Sequence, residues 1–104
     1  MKVEIKKSNQ SNKKLMAIFY DNDNKKVKTT HFGSASNKDF TIYSKESKKL
    51  ADDRKRLYLE RHKKNENWND YKSAGSLSRY ILWNKPTIEA SKKSYANRFN
   101  LTLI

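Results

Sequence analysis

Seven residues, Leu77-Ser78-Arg79-Tyr80-Ile81-Leu82-Trp83, constrain this chain more than any others. They form its densest apolar run, and only Arg79 interrupts it. At about 100° per residue, Leu77, Tyr80 and Ile81 share one side of a helix, while Leu82 and Trp83 point elsewhere. A short helix that is apolar on most sides is buried on most sides. The run therefore predicts a hub against which the other elements pack. Asn84-Lys85-Pro86-Thr87 follows it, and Gly75 precedes it.

The elements around the hub are read from periodicity and breakers. Lys2–Lys6 alternates and predicts a short strand. Ser8–Asn12 is polar and reads as a loop. Leu15–Tyr20 is a continuous apolar run of strand length. Asp21-Asn22-Asp23-Asn24 has turn chemistry, because Asn and Asp tolerate left-handed backbone and bond their own main chain. Lys26–Phe32 predicts the return strand of an antiparallel hairpin, ended by Gly33. Asp39–Tyr43 reads as an extended piece or turn that pins aromatic rings onto the core.

Ser47–Lys64 contains no Gly or Pro and many good helix formers. Leu50, Arg54, Leu57 and Arg61 fall in one stripe of that helix, with Tyr58 at its edge. Lys48, Lys55, Arg56 and Lys63 fall opposite. Asn65–Asp70 breaks the helix. Pro86 is expected in the first turn of another helix, whose face is Ile88, Tyr95 and Phe99. Asn100 is a stop signal, and Leu101–Ile104 predicts a last short strand that joins the sheet.

With 104 residues the chain has room for one domain, here 1–104. It is expected to be α+β: a small antiparallel sheet, made of the N-terminal hairpin and the C-terminal strand, covered on one face by two or three helices. The hub is placed between the long basic helix and the C-terminal one. There is no cysteine, so disulfides and thiolate metal sites are excluded. Met1-Lys2-Val3-Glu4 opens without an apolar core, and no run approaches the ~20 residues a bilayer span needs. A protein that is not secreted, in a cytosol-like compartment, is expected.

Charge carries the functional reading. Twenty-four Lys+Arg stand against 11 Asp+Glu, a net +13. The excess lies on the hairpin, the long helix and the C-terminal helix; the hub is neutral. A 12% aromatic content argues for a folded core, since disordered basic tails lack rings. Such an excess repels itself unless something anionic is near. Nucleic acid is the commonest such partner, and solvated faces are the plain alternative. Lysines outnumber arginines 19 to 5. Lys is a flexible point charge, whereas Arg is the usual reader of base edges, so sequence-tolerant backbone binding is favoured.

The candidate nucleic-acid-binding residues are Lys48, Lys49, Lys55, Arg56, Lys63 and Lys64 in one stripe and Lys92, Lys93 and Arg98 in a second. Arg54 and Arg61 sit on the apolar stripe of their helix. They either grip phosphates, or cover apolar surface with their stems, or pair with a carboxylate such as Asp39 or Asp70, and the structural pairing is slightly favoured. Arg79 poses the same choice. Trp68 and Trp83 are read as core residues before base-stacking platforms. His31 and His62 are too isolated for a metal site. Asp52, Asp53 and Glu60 do not converge on one either. No phosphate-cradling Gly-rich loop, nucleophile elbow or HExxH motif is present. No catalytic residue, metal or cofactor is assigned, and an enzyme is not expected.

One set of motifs is distinctive. His31-Phe32-Gly33, Asp39-Phe40-Thr41, Arg54-Lys55 to Tyr58, Arg61-His62, Asn67-Trp68, Gly75 and Ser78–Thr87 resemble a family of small basic proteins of unknown function. Large DNA viruses and some phages encode that family. The resemblance covers residues 15–104. It implies a viral factory or virion interior as the setting, and a protein that coats or condenses DNA. The alternative it leaves is a non-enzymatic scaffold protein binding an acidic protein partner. Single-stranded RNA binding, a third possibility, would require exposed Trp68 or Tyr71.

Overall fold

A computed structural model describes residues 1–104. Four strands, β1 (Lys2–Lys7), β2 (Lys13–Tyr20), β3 (Lys26–Ser34) and β4 (Thr102–Leu103), form one sheet in the order β3-β2-β1-β4. Four helices accompany it: α1 (Phe40–Glu46), α2 (Lys48–His62), α3 (Ala74–Leu77) and α4 (Ile88–Arg98). The fold is the expected α+β, but the sheet is mixed. The C-terminal strand adds to the outer edge of β1 in parallel, pairing Lys2 with Thr102 and Val3 with Leu103. The long return through the helices allows that direction; a tight hairpin would not.

The β2–β3 hairpin forms as its turn chemistry dictates. The Asp21 carboxylate accepts the backbone N–H groups of Asp23 and Lys25, both at 2.9 Å, and Asn24 takes the left-handed backbone at φ 61°. β3 is the other edge of the sheet. Lys26 and Lys28 flank the exposed Val27 there, a charge pattern that discourages edge-to-edge pairing.

One sheet face and the hub make the core. Val3, Ile5, Ala17, Phe19 and Phe32 pack with Leu77, Tyr80, Ile81, Leu82 and Tyr95. The cross-strand register places Val3 beside Phe19 and Ile5 beside Ala17, so the core face is continuous across strands. Phe99 knits the helical side together, with ring centroids 5.4 to 5.7 Å from Tyr95, Tyr80 and Tyr71. The Tyr95 hydroxyl donates to the carbonyl of Tyr71 at 2.5 Å, and burial drives its pKa upward.

The hub is not one regular helix. α3 runs into a π turn over Ser78–Leu82, closed by the Trp83 N–H donating to Ser78 O at 3.1 Å. The wider turn brings three consecutive side chains, Tyr80, Ile81 and Leu82, into the core. Leu82 was expected to point elsewhere. It is buried because Gly33 makes room: a Cβ on Gly33 would meet Leu82 Cδ1 at 2.5 Å. Gly33 does not end its strand; it lies within β3 at φ +80°.

Caps correct two further expectations. Asp39–Tyr43 is not extended. The Asp39 carboxylate accepts Thr41 N at 2.9 Å and Ile42 N at 3.3 Å, and this N-cap starts α1 despite a β-prone sequence. Pro86 lies one residue before the cap of α4. Thr87 is the cap, accepting Ala90 N at 3.2 Å. Asn100, at φ 55°, stops α4, and Leu101 N–H closes the helix end on Ala96 O at 2.8 Å.

Gly33→Ala is expected to destabilise the fold by about 1–3 kcal/mol, from the left-handed backbone and the Leu82 contact together. Urea unfolding checks it, as a lower midpoint at unchanged slope. An unchanged midpoint would show that the Gly33–Leu82 approach is not required.

Candidate functional site

The core cluster and the side chains packed on it include no residue of α1 or α2. These two helices dock on the rest of the molecule through side chains. Trp83, projecting from the end of the π turn, stacks flat on Tyr58 of α2, with centroids 4.6 Å apart and planes at 9°. His62 stacks on the Tyr58 ring at 4.3 Å. The Lys55 ammonium donates to Asn84 O at 3.0 Å. Lys14 of β2 donates to the Asp39 carboxylate at 2.6 Å, in a largely buried pair.

This docking fixes which face of α2 looks inward. Ala51 and Tyr58 are buried, Lys55 and His62 half-buried. The expected apolar stripe of Leu50, Arg54, Leu57 and Arg61 is therefore one residue off. Leu50 and Leu57 are 37% and 44% exposed. Lys55, expected on the outer face, lies over the Phe40 ring at 5.0 Å. Burial, helped by the nearby charges of Arg79 and Lys85, lowers its pKa. Two aromatic positions, Tyr58 and Trp83, overrode the weaker Leu pattern.

Between α2 and the β2–β3 end of the sheet lies a cleft of about 490 Å³. Its cationic lining is Lys13, Lys14, Lys38, Arg54 and Arg61, with His62 beside them. Two carboxylates, Asp39 and Glu66, also line it. Asp39 is committed to the α1 cap, the Thr41 hydroxyl and Lys14. Glu66 lies 3.9 Å from the His62 ring. Neither pairs with Arg54 or Arg61, so the structural pairing expected for these arginines is not what forms. Asp70 instead accepts Lys72 N in a turn. The Arg54 guanidinium sits over the Tyr43 ring at 5.7 Å, and neither arginine is in an ion pair. Lys38 also faces Tyr43, and its hydrogen bond to Glu46 raises its pKa.

The other expected residues divide by partner. Lys48 pairs with Asp52, Arg56 with Glu60 and Lys92 with Glu89, all local bridges, the first two exposed and the third with a half-buried lysine. Such bridges are weak and screened, so these cations remain open to competition from phosphate. Lys49, Lys63, Lys64 and Lys93 are without ion pairs. Arg98 lies over the Tyr80 ring at 4.6 Å, on the hub and away from the cleft. Thus only Arg54 and Arg61 of the expected set line the cleft. Lys13, Lys14 and Lys38 join them from parts of the chain distant in sequence, which no local pattern marks. Gly33, Asp39, Arg54, Tyr58, Arg61 and Trp83, well separated in sequence, all line the cleft.

The histidines are occupied locally. His31 Nδ1 is 2.8 Å from the Ser8 hydroxyl, and His62 lies against Tyr58. No group of three or more His, Cys, Asp or Glu side chains is placed to hold a metal ion, and no helix is long and apolar enough to cross a membrane. Compared with protein-family models, with curated proteins and with solved structures, the chain matches none.

The stack that builds the cleft has a pH signature. Burial, and secondarily the charge of Glu66, push the Tyr58 phenol up to about 12. The folded state holds this proton more tightly than the unfolded chain. Its contribution is complete below pH ~10 and is lost as pH rises through the folded value. Tyr58→Phe is expected to reduce the loss of stability between pH ~9 and ~12 by on the order of 2 kcal/mol. Urea midpoints across that range check it. An unaltered alkaline loss would contradict the burial of this hydroxyl.

Proposed function

We propose that the protein binds nucleic acid through the phosphate backbone with little regard for sequence, and that duplex DNA is its ordinary partner. The observation that carries this is the pair of unpaired guanidiniums, Arg54 and Arg61, lining a cleft with Lys13, Lys14 and Lys38. Guanidinium forks suit phosphate oxygens. Lys49, Lys63 and Lys64 are exposed and add cationic surface elsewhere on α2 and just beyond it, with Lys63 beside Arg56 and Trp68.

Two further observations support backbone contact over base stacking. Trp83 has one face covered by Tyr58, and Trp68 carries the Arg79 guanidinium 5.1 Å from its ring. Neither indole is a free platform of the kind that single-strand binders use. A binding role rather than a catalytic one fits a cleft whose Asp39 is held in a cap and an ion pair. The resemblance of the motifs to small basic proteins of large DNA viruses makes coating or condensing of viral DNA the natural setting.

The test is the salt dependence of binding to a random-sequence duplex. Each phosphate contact contributes about 0.9 to the slope of log affinity against log salt. Arg54→Gln/Arg61→Gln is expected to lower the slope by about 2 and to weaken binding similarly on unrelated sequences. Binding indifferent to salt, or absent at low salt, would sink the reading. Absence would turn attention to an acidic protein partner in a virion or replication compartment.

A further inference from the structure

A second cluster of cations gathers on the hub outside the cleft. The Arg79 guanidinium lies 5.1 Å from the Trp68 ring and 4.9 Å from the Tyr80 ring. The Arg98 guanidinium lies 4.6 Å from the same Tyr80 ring, which places the two arginines within about 10 Å of each other, close enough to repel. Lys55 is held to Asn84 O at 3.0 Å, next in sequence to Lys85. Asn84 is itself fixed, its amide donating to Tyr80 O at 3.1 Å and to Ser94 Oγ at 3.0 Å. None of Lys55, Arg79, Lys85 and Arg98 is in an ion pair. Asp52 is the carboxylate that acts on Lys55, and it is bridged to Lys48.

Hydrogen bonding singles out the same place independently. Two buried side-chain polar atoms have no hydrogen-bond partner among the chain's own groups: Trp68 Nε1 and Arg79 Nε. Both are donors, and their side chains are in contact. Buried donors are normally matched, and leaving one unmatched is costly. Like charges brought together beside unmatched donors call for an acceptor that carries negative charge.

We propose that Arg79, Arg98, Lys55 and Lys85, together with the Trp68 indole N–H, form a phosphate-binding site distinct from the cleft. Arg79 and Arg98 supply guanidinium forks, Lys55 and Lys85 supply point charges, and the two buried unmatched donors gain an acceptor as the phosphate seats against them. The chemistry recognised is a phosphate group, whether free or part of a nucleic-acid backbone. The site does not depend on the cleft reading. Burial first, and then the charges of Arg79 and Lys85, lower the pKa of the half-buried Lys55, which places those two cations near it.

The test is titration of the nitrogen-15-labelled full chain with inorganic phosphate, against chloride at equal ionic strength. The Trp68 Nε1–H and Arg79 Nε–H resonances are expected to move together and saturably with phosphate alone. Lys85→Gln/Arg98→Gln alters surface-reaching side chains and leaves the Arg79–Trp68 contact in place. It is expected to weaken phosphate binding about tenfold or more. Movement no larger than with chloride, or an affinity unchanged in the double variant, would overturn the site. Movement confined to the Arg54 and Arg61 signals would overturn it while leaving the cleft reading intact. Displacement of phosphate by a short random-sequence oligonucleotide would support the site and assign its phosphate to a nucleic-acid backbone. Saturation undisturbed by oligonucleotide would support it and assign a free phosphorylated ligand.

Discussion

The contact on which the rest of the structure depends is the flat stack of Trp83 on Tyr58. It joins the sheet, hub and α4 to the α1–α2 arm, whose buried Phe40, Ala51 and Tyr58 lie outside the main core cluster. An aromatic pair of this kind contributes about 0.5–1.5 kcal/mol beyond the area it buries. That is modest, but few contacts share the task. The Lys14–Asp39 pair and the Lys55–Asn84 hydrogen bond fix the arm at two other points. Because the arm is held by its Tyr58 face, Arg54 and Arg61 turn toward the sheet and the cleft appears between them. Position and charge thus come from the same packing event.

The π turn supplies the geometry that makes this stack possible. A regular helix would spread Tyr80, Ile81, Leu82 and Trp83 around more of its circumference. The wider turn commits the first three to the core and releases Trp83 toward α2. Gly33 is the complementary concession on the sheet side, giving Leu82 its seat at the cost of a left-handed backbone.

Much of the architecture was legible in the sequence because local rules govern it. The Asp21–Asn24 turn, the apolar run of β2, the long helix after Ser47 and the stop at Asn100 are each specified within a few residues. What failed was decided at longer range or by finer chemistry. Asp39 turned a β-prone stretch into α1 through a single cap. The inward face of α2 was set by a ring from the hub some 25 residues away, which no helical periodicity records. The parallel addition of β4 depends on where the whole chain has travelled. For the candidate site, Arg54 and Arg61 were visible as oddities on a helix, and their choice between carboxylate and open cleft was not. Lys13, Lys14 and Lys38 carried no local mark at all, since only tertiary packing brings them to the cleft.

The central claim is that an arm docked through Tyr58 and Trp83 creates the surface that meets nucleic acid. Hydrogen exchange of the full chain, alone and with a random-sequence duplex, tests it most directly. On this account the amides of α1 and α2 open at lower free energy than those of β1, β2 and α4, because the arm lies outside the core. The duplex then slows exchange chiefly in α2 and around the β2–β3 end that lines the cleft. Protection spread evenly over the chain, or confined to β1 and the outer face of the sheet, would contradict it.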